Sequence, residues 1–315
     1  RAKSEAGRGM MPRKGNPAAG PIAALAFISL VWGYNWVVMK ESLRYAGPFD
    51  FNALRMALGS VFLFAFMAWK REPLRPPYPV WTALIGLTQT SLGTGLIVWA
   101  LVTGGAGKTS ILVYTMPFWI LLLAWLVLDE KVRGALWLPI AMAFCGLVCI
   151  LEPWALGGTA QSKMLAVISG VCWAAGAVIL KLLGRRYLKL DLIRITTWQL
   201  IFGTMPLIPV AFLAPSPPID WSPYFIGSIA YNSVLVCGVA FLMWTYVIDR
   251  LPAGLAGLGT LAVPVVGMTG SRLQLGEPIG YWEGWGIALV VAALALLSLM
   301  RLRERRRADM VPAQE

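Results

Sequence analysis

Residues 106–130 read AGKTSILVYTMPFWILLLAWLVLDE, and residues 253–277 read AGLAGLGTLAVPVVGMTGSRLQLGE. The two stretches have the same length. They share Ala-Gly at the start (Ala106-Gly107, Ala253-Gly254), proline at the twelfth position (Pro117, Pro264) and glutamate at the last (Glu130, Glu277). Further toward the amino end, Trp32, Lys40 and Asp50 recur 141 residues later as Trp173, Lys181 and Asp191. Recurrence of this kind marks an internal repeat, and a repeat constrains architecture more than any single motif does. Each quoted stretch is also an apolar run long enough to cross a bilayer as a helix.

Outward from these stretches, the same kind of run fills the chain. Of 315 residues, 58% are hydrophobic and 13% charged, against roughly 45–50% and about 25% in soluble domains. Charge, proline and glycine divide the sequence into ten expected helices at about 21–40, 49–69, 80–102, 106–127, 134–152, 163–183, 192–214, 223–247, 252–272 and 281–300. The first is too long for a signal peptide and lacks a small-residue cleavage site, so it is expected to be retained. The expected fold is therefore all-α: a polytopic membrane protein with ten transmembrane helices in two repeats, 21–152 and 163–300, between tails 1–20 and 301–315. Five helices per repeat is an odd number, so the second repeat enters the membrane from the opposite side and the repeats are inverted. Inverted repeats exchange inward and outward access around a central site, which is the logic of alternating-access transport.

Net charge is +12, and a basic balance can signal nucleic acid. Here the charges gather between spans: 20 Lys and Arg fall on one side of the expected membrane and 5 on the other. That bias reads as orientation, with both termini cytoplasmic, the lipid bilayer as partner and no nucleic acid. The sequence has no histidine, which removes Ser-His-Asp and Cys-His catalysis and His-ligated metals. Cys145, Cys149, Cys172 and Cys237 lie in apolar runs without metal-type spacing and are expected as small buried side chains. No catalytic group, metal or cofactor is expected, and a lipid-modifying enzyme lacks its nucleophile and base. Trp69, Trp81, Trp137, Trp154, Trp221, Trp282 and Trp285 sit near span ends and read as interfacial belts.

Two five-helix repeats, each with a proline-containing fourth helix followed by Leu128-Asp129-Glu130 or Leu275-Gly276-Glu277, resemble the drug/metabolite transporter superfamily, specifically its EamA-type members. The likeness spans nearly the whole chain. Asp129 departs from the glycine usual at that place. Within the superfamily the aromatic-rich spans resemble the YddG-type exporters of aromatic amino acids. The resemblance implies a bacterial inner-membrane exporter of a small-molecule cargo.

The residues themselves narrow the cargo. All fifteen carboxylates fall in tails, loops or span ends, and no Lys or Arg is expected at mid-membrane. An uncharged or zwitterionic cargo is expected, because charge inside a span is costly and marks the transport path. On helix 1, Ser29, Trp32, Asn35, Trp36 and Met39 share one face at i, i+3, i+4 spacing. Trp32, Asn35, Trp36, Gln89, Ser91, Tyr114, Trp173, Tyr231, Asn232 and Tyr246 are the expected substrate-binding residues: rings to stack on an aromatic cargo, amides and hydroxyls to take its polar end. Pro117 and Pro264 are expected hinges. Lacking a mid-membrane proton carrier, the chain is expected to work as a facilitator. An exporter of other uncharged or zwitterionic metabolites, with proton coupling through Glu41, Asp50 or Glu152, is the alternative.

Overall fold

The computed structural model describes residues 19–129, 134–152, 160–187, 190–250 and 262–310. Among the described residues every regular element is helical. Up to residue 152 come α1 (Ala19–Ser42), α2 (Pro48–Trp69), α3 (Pro79–Thr103), α4 (Ala106–Val113), α5 (Met116–Leu128) and α6 (Trp137–Leu151). Beyond residue 159 come α7 (Ala160–Arg186), α8 (Leu192–Leu213), α9, α10 (Ala262–Leu275) and α11 (Tyr281–Met310). Helix α9 runs through Pro223–Ala230, Tyr231–Val239 and Ala240–Arg250. Among the described residues eight stretches, the last of them Pro223–Trp244, have the length and hydropathy to cross a bilayer. The first half of the expected ninth span, Glu130 and Trp154 lie outside the described residues.

Local chemistry sets the ends. Pro48 and Pro223 occupy the first turns of α2 and α9, where a missing N–H costs nothing. The Asp191 carboxylate accepts from the Arg194 N–H at 3.1 Å and caps α8, as N-cap acids do. Asp129 ends α5 at φ 54°, and Gly276 follows α10 at φ 64°. Both are left-handed, a conformation that glycine takes freely and aspartate tolerates better than most side chains, so Asp129 serves the same backbone role as its glycine counterpart.

Two departures from the expected helices matter. The span expected over 106–127 is two helices, because Pro117 has no N–H for the Val113 carbonyl and the ladder breaks at Tyr114 and Thr115. Within α3 and α9 the segments Gly86–Thr94 and Tyr231–Val239 are π-helical, nine residues each and 145 apart. A π segment widens the turn, re-aims side chains and recurs at functional sites; hydropathy carries no trace of it.

Helix α6 packs on α11, α1 on α10, and α2 on α8 and the π segment of α9. One apolar core joins Trp36, Phe51, Phe118 and Phe225, and a second joins Ile28, Leu63, Leu200 and Val247. Outward, Leu30, Val61, Leu126, Phe212, Leu213 and Leu273 are exposed, a breadth of apolar surface that suits lipid and not water. Trp69, Trp137, Trp221, Trp282 and Trp285 are exposed at the helix ends, whereas Trp81 is half-buried. All four cysteines are free thiols, but only Cys237 is buried, and Cys145 is exposed on its apolar helix. The burial expected of all four fails because lipid-facing positions accept small apolar side chains as readily as core positions do.

The halves join through the quoted stretches. Glu277 accepts from the N–H groups of Ala106 and Gly107 at 2.7 and 3.2 Å, so the acid ending the second stretch caps the helix that opens the first. Nearby, Lys108 pairs with the buried Glu283 at 2.6 Å and Lys163 with Glu152 at 3.2 Å.

Candidate functional site

A cavity of about 230 Å³ lies among α1, α2, α3, α4, α7, α8 and α9. One water needs roughly 10–15 Å³ measured this way, so the space holds a solute of about a dozen or more non-hydrogen atoms. Its apolar wall includes the indoles of Trp32, Trp36, Trp173 and Trp244 with Phe241 and Tyr114. Trp32 meets Trp244 with ring centroids 5.9 Å apart and Phe241 at 5.6 Å, edge-on, the arrangement that favours adding another ring. Its indole N–H reaches the Val236 carbonyl in the π segment of α9 at 3.3 Å, which fixes the plane of the wall.

Polar groups face the same space. Gln89 donates to the Trp173 carbonyl at 3.2 Å and accepts from Gln199 at 3.2 Å. The Oδ1 atom of Asn35 and the indole Nε1 of Trp173 are buried without a hydrogen-bond partner. Unmade buried hydrogen bonds cost about 1–3 kcal/mol each, and in a cavity wall they are groups waiting for a ligand or water. Close packing holds Trp173 where it is: a β-carbon on Gly93 would sit 2.7 Å from its Nε1.

One lining group contradicts the expectation of a path free of cations. Arg55 is 3% exposed, seven residues into α2, and lines the cavity. Its Nε donates to Asn52 Oδ1 at 3.0 Å and its Nη1 to Asn232 Oδ1 at 3.2 Å. Behind it, Asn52 Nδ2 donates to Thr94 Oγ1 at 3.0 Å and Asn232 Nδ2 to the Ser228 carbonyl at 3.0 Å. The sequence reading expected no Lys or Arg at mid-membrane, and Arg55 lies near the start of the expected 49–69 span. The long side chain carries the charge inward, and the signal that would have found it is the cost of any arginine within an apolar span.

Of the expected substrate residues, the structure brings together Trp32, Asn35, Trp36, Gln89, Tyr114 and Trp173. The other four lie outside the lining. Ser91 spends its hydroxyl on the Gly203 carbonyl, and Tyr231 donates to the Val31 carbonyl at 2.6 Å. Asn232, fully buried, stands behind Arg55. Tyr246 is exposed, its hydroxyl beside Gly20. Each was expected from its residue type within a span, which does not fix where a side chain points; in the π segment of α9 it is Val236 and Cys237 that stand on the wall. Among the lining residues the sequence reading missed are the polar or aromatic Arg55, Gln199, Phe241 and Trp244. Pro117 lies at the helix break beside Tyr114, and Pro264 is buried in the first turn of α10 as described.

Comparison with known proteins agrees with this architecture. The model of the EamA-like transporter family matches twice, over residues 20–152 and 162–299. The chain is 27% identical over 262 residues to the uncharacterized transporter YoaV of Bacillus subtilis, covering 80% of this chain and 87% of that one. It is 25% identical over 293 residues to a probable amino-acid metabolite efflux pump of Salmonella typhimurium, covering 89% and 95%. A solved crystal structure superposes with a TM-score of 0.61 at 19% identity, covering 92% of this chain and all of that one, a likeness of fold. With both halves matched and eight bilayer-length helices among the described residues, the chain is a multi-pass membrane transporter and belongs to the EamA-like transporter family.

Proposed function

We propose that this transporter exports aromatic amino acids or similar small amphipathic metabolites, in the manner of the YddG-type exporters. The observation that carries the reading is the cavity wall: four indoles, a phenyl and a phenol beside three side-chain amides. Rings stack a flat apolar cargo, and the side-chain amides, Asn35 with its unmet Oδ1 first, receive its polar end. The efflux-pump relative supports outward movement of amino-acid metabolites.

The proposal includes ten spans in two inverted repeats, 21–152 and 163–300, with both termini on the cytoplasmic side of a bacterial inner membrane. The π segments at matching places in α3 and α9 support the repeat. Ala106-Gly107 and Glu277, on this orientation, close the outer face. Alternating access follows from exchanging the conformations of the two halves, with Pro117 and Pro264 as the hinges and movement down the cargo's own gradient.

The test is efflux from proteoliposomes loaded with labelled L-phenylalanine, L-tryptophan, L-leucine, L-lysine or L-glutamate. Phenylalanine and tryptophan should leave fastest. Efflux of both at the rate of protein-free liposomes would refute the reading.

A further inference from the structure

We infer that Arg55 is the anion-binding group of the cavity and that the cargo must carry a carboxylate. The inference rests on the cargo class proposed above and sharpens it: the carboxylate, not the ammonium, is the obligatory charge. Arg55 is buried in an apolar membrane protein, and its hydrogen-bond partners are the neutral amide oxygens of Asn52 and Asn232. The ion pairs among the described residues use Glu41, Glu152, Asp191 and Glu283, and none of them includes Arg55. A desolvated guanidinium without a counter-charge is strongly unfavourable, and no carboxylate lines the cavity to relieve it.

The geometry explains how an anion would relieve it. Asn52 and Asn232 occupy Nε and Nη1, which locks the plane of the guanidinium, while Nη2 makes no hydrogen bond to a described residue. Its other face rests on the Phe51 ring, 5.5 Å from Cζ to the centroid. A charge held this rigidly beside a cavity is preorganised for a planar oxyanion, because little order remains to be imposed on binding. Among small metabolites with an aromatic body, the planar oxyanion is a carboxylate. The vacant Oδ1 of Asn35 on the same wall then accepts from an ammonium when there is one, as a secondary contact.

The test compares matched compounds on the wild-type protein, so that no variant has to fold. Thermal stabilisation in detergent and inhibition of phenylalanine efflux are read with L-phenylalanine, 3-phenylpropionate, L-phenylalaninamide and phenethylamine, then with L-leucine, 4-methylvalerate and isoamylamine. Within each set the carboxylates should act at concentrations about 30-fold or more below those of the amide and amines, the scale of a lost buried charge pair. Arg55→Gln should abolish this preference and Arg55→Lys should retain part of it. Equal action of phenethylamine and phenylalanine overturns the role of Arg55 and leaves the aromatic reading standing. Carboxylate preference of equal size in both sets, with no preference for phenyl over alkyl, upholds Arg55 and sinks the aromatic reading. No response to any carboxylate overturns both.

Discussion

Replacing Glu277 should open the face that it closes, and the size of the effect follows from its contacts. Its carboxylate takes two N–H groups at the first turn of α4, from Ala106 at 2.7 Å and Gly107 at 3.2 Å. Gly105 leaves just enough room, since a β-carbon there would lie 2.7 Å from the carboxylate. Hydrogen bonds to a charged group contribute about 1.5–3 kcal/mol and an N-terminal cap about 0.5–2 kcal/mol. Glu277→Ala therefore removes about 2 kcal/mol from the conformation in which the two stretches meet. If that contact is broken whenever the outer face opens, the open-to-closed ratio rises about 30-fold. Glu277→Gln keeps an acceptor and loses the charge facing the helix dipole, about 1 kcal/mol or roughly 5-fold. Cys237 is a built-in reporter, because it lines the cavity and is buried. In a background with Cys145, Cys149 and Cys172 replaced by alanine, the rate at which an impermeant maleimide labels Cys237 from the outer side reads outer access. The expected order is Glu277→Ala fastest, then Glu277→Gln, then the parent. Equal rates in all three would refute the latch, and faster labelling only from the cytoplasmic side would reverse the orientation.

Trp173→Ala and Asn35→Ala should each lower phenylalanine efflux at least tenfold with nearly normal expression, since the Asn35 Oδ1 and Trp173 Nε1 have no protein partner to lose; unchanged efflux in both variants removes them from the site. Gly93→Ala places a methyl group 2.7 Å from Trp173 Nε1 and 3.1 Å from the Thr88 carbonyl, so the ring must move into the cavity at about 1–3 kcal/mol of overpacking. Its KM for phenylalanine should rise while the insertion level holds, and an unchanged KM would mean the ring is not a wall of the site. For coupling, a pH gradient of either sign across proteoliposomes with equal cargo inside and out, at clamped potential, should produce no accumulation. Sustained accumulation would refute facilitated movement and direct attention to Glu41, Asp50 and Glu152.

By itself the sequence determined the class of this protein. Hydropathy over bilayer-length windows, the recurrence of Pro117 and Glu130 as Pro264 and Glu277, and the absence of histidine led to a helical membrane transporter of this family, because each rests on composition or spacing along one chain. Six of ten expected binding residues reach the cavity for a related reason: the Trp32, Asn35 and Trp36 face follows from helical periodicity alone. The tertiary structure decided what periodicity cannot encode. In the π segment of α9, Val236 and Cys237 stand on the wall while Tyr231 bonds to the Val31 carbonyl and Asn232 to Arg55. The break before Pro117 placed Tyr114 at the cavity. Most of all, Arg55 and its partner Asn232 stand 177 residues apart. Which side chains can carry charge is written in the sequence, but whether that charge is paired, buried or aimed at a cargo depends on which helices the fold sets beside it.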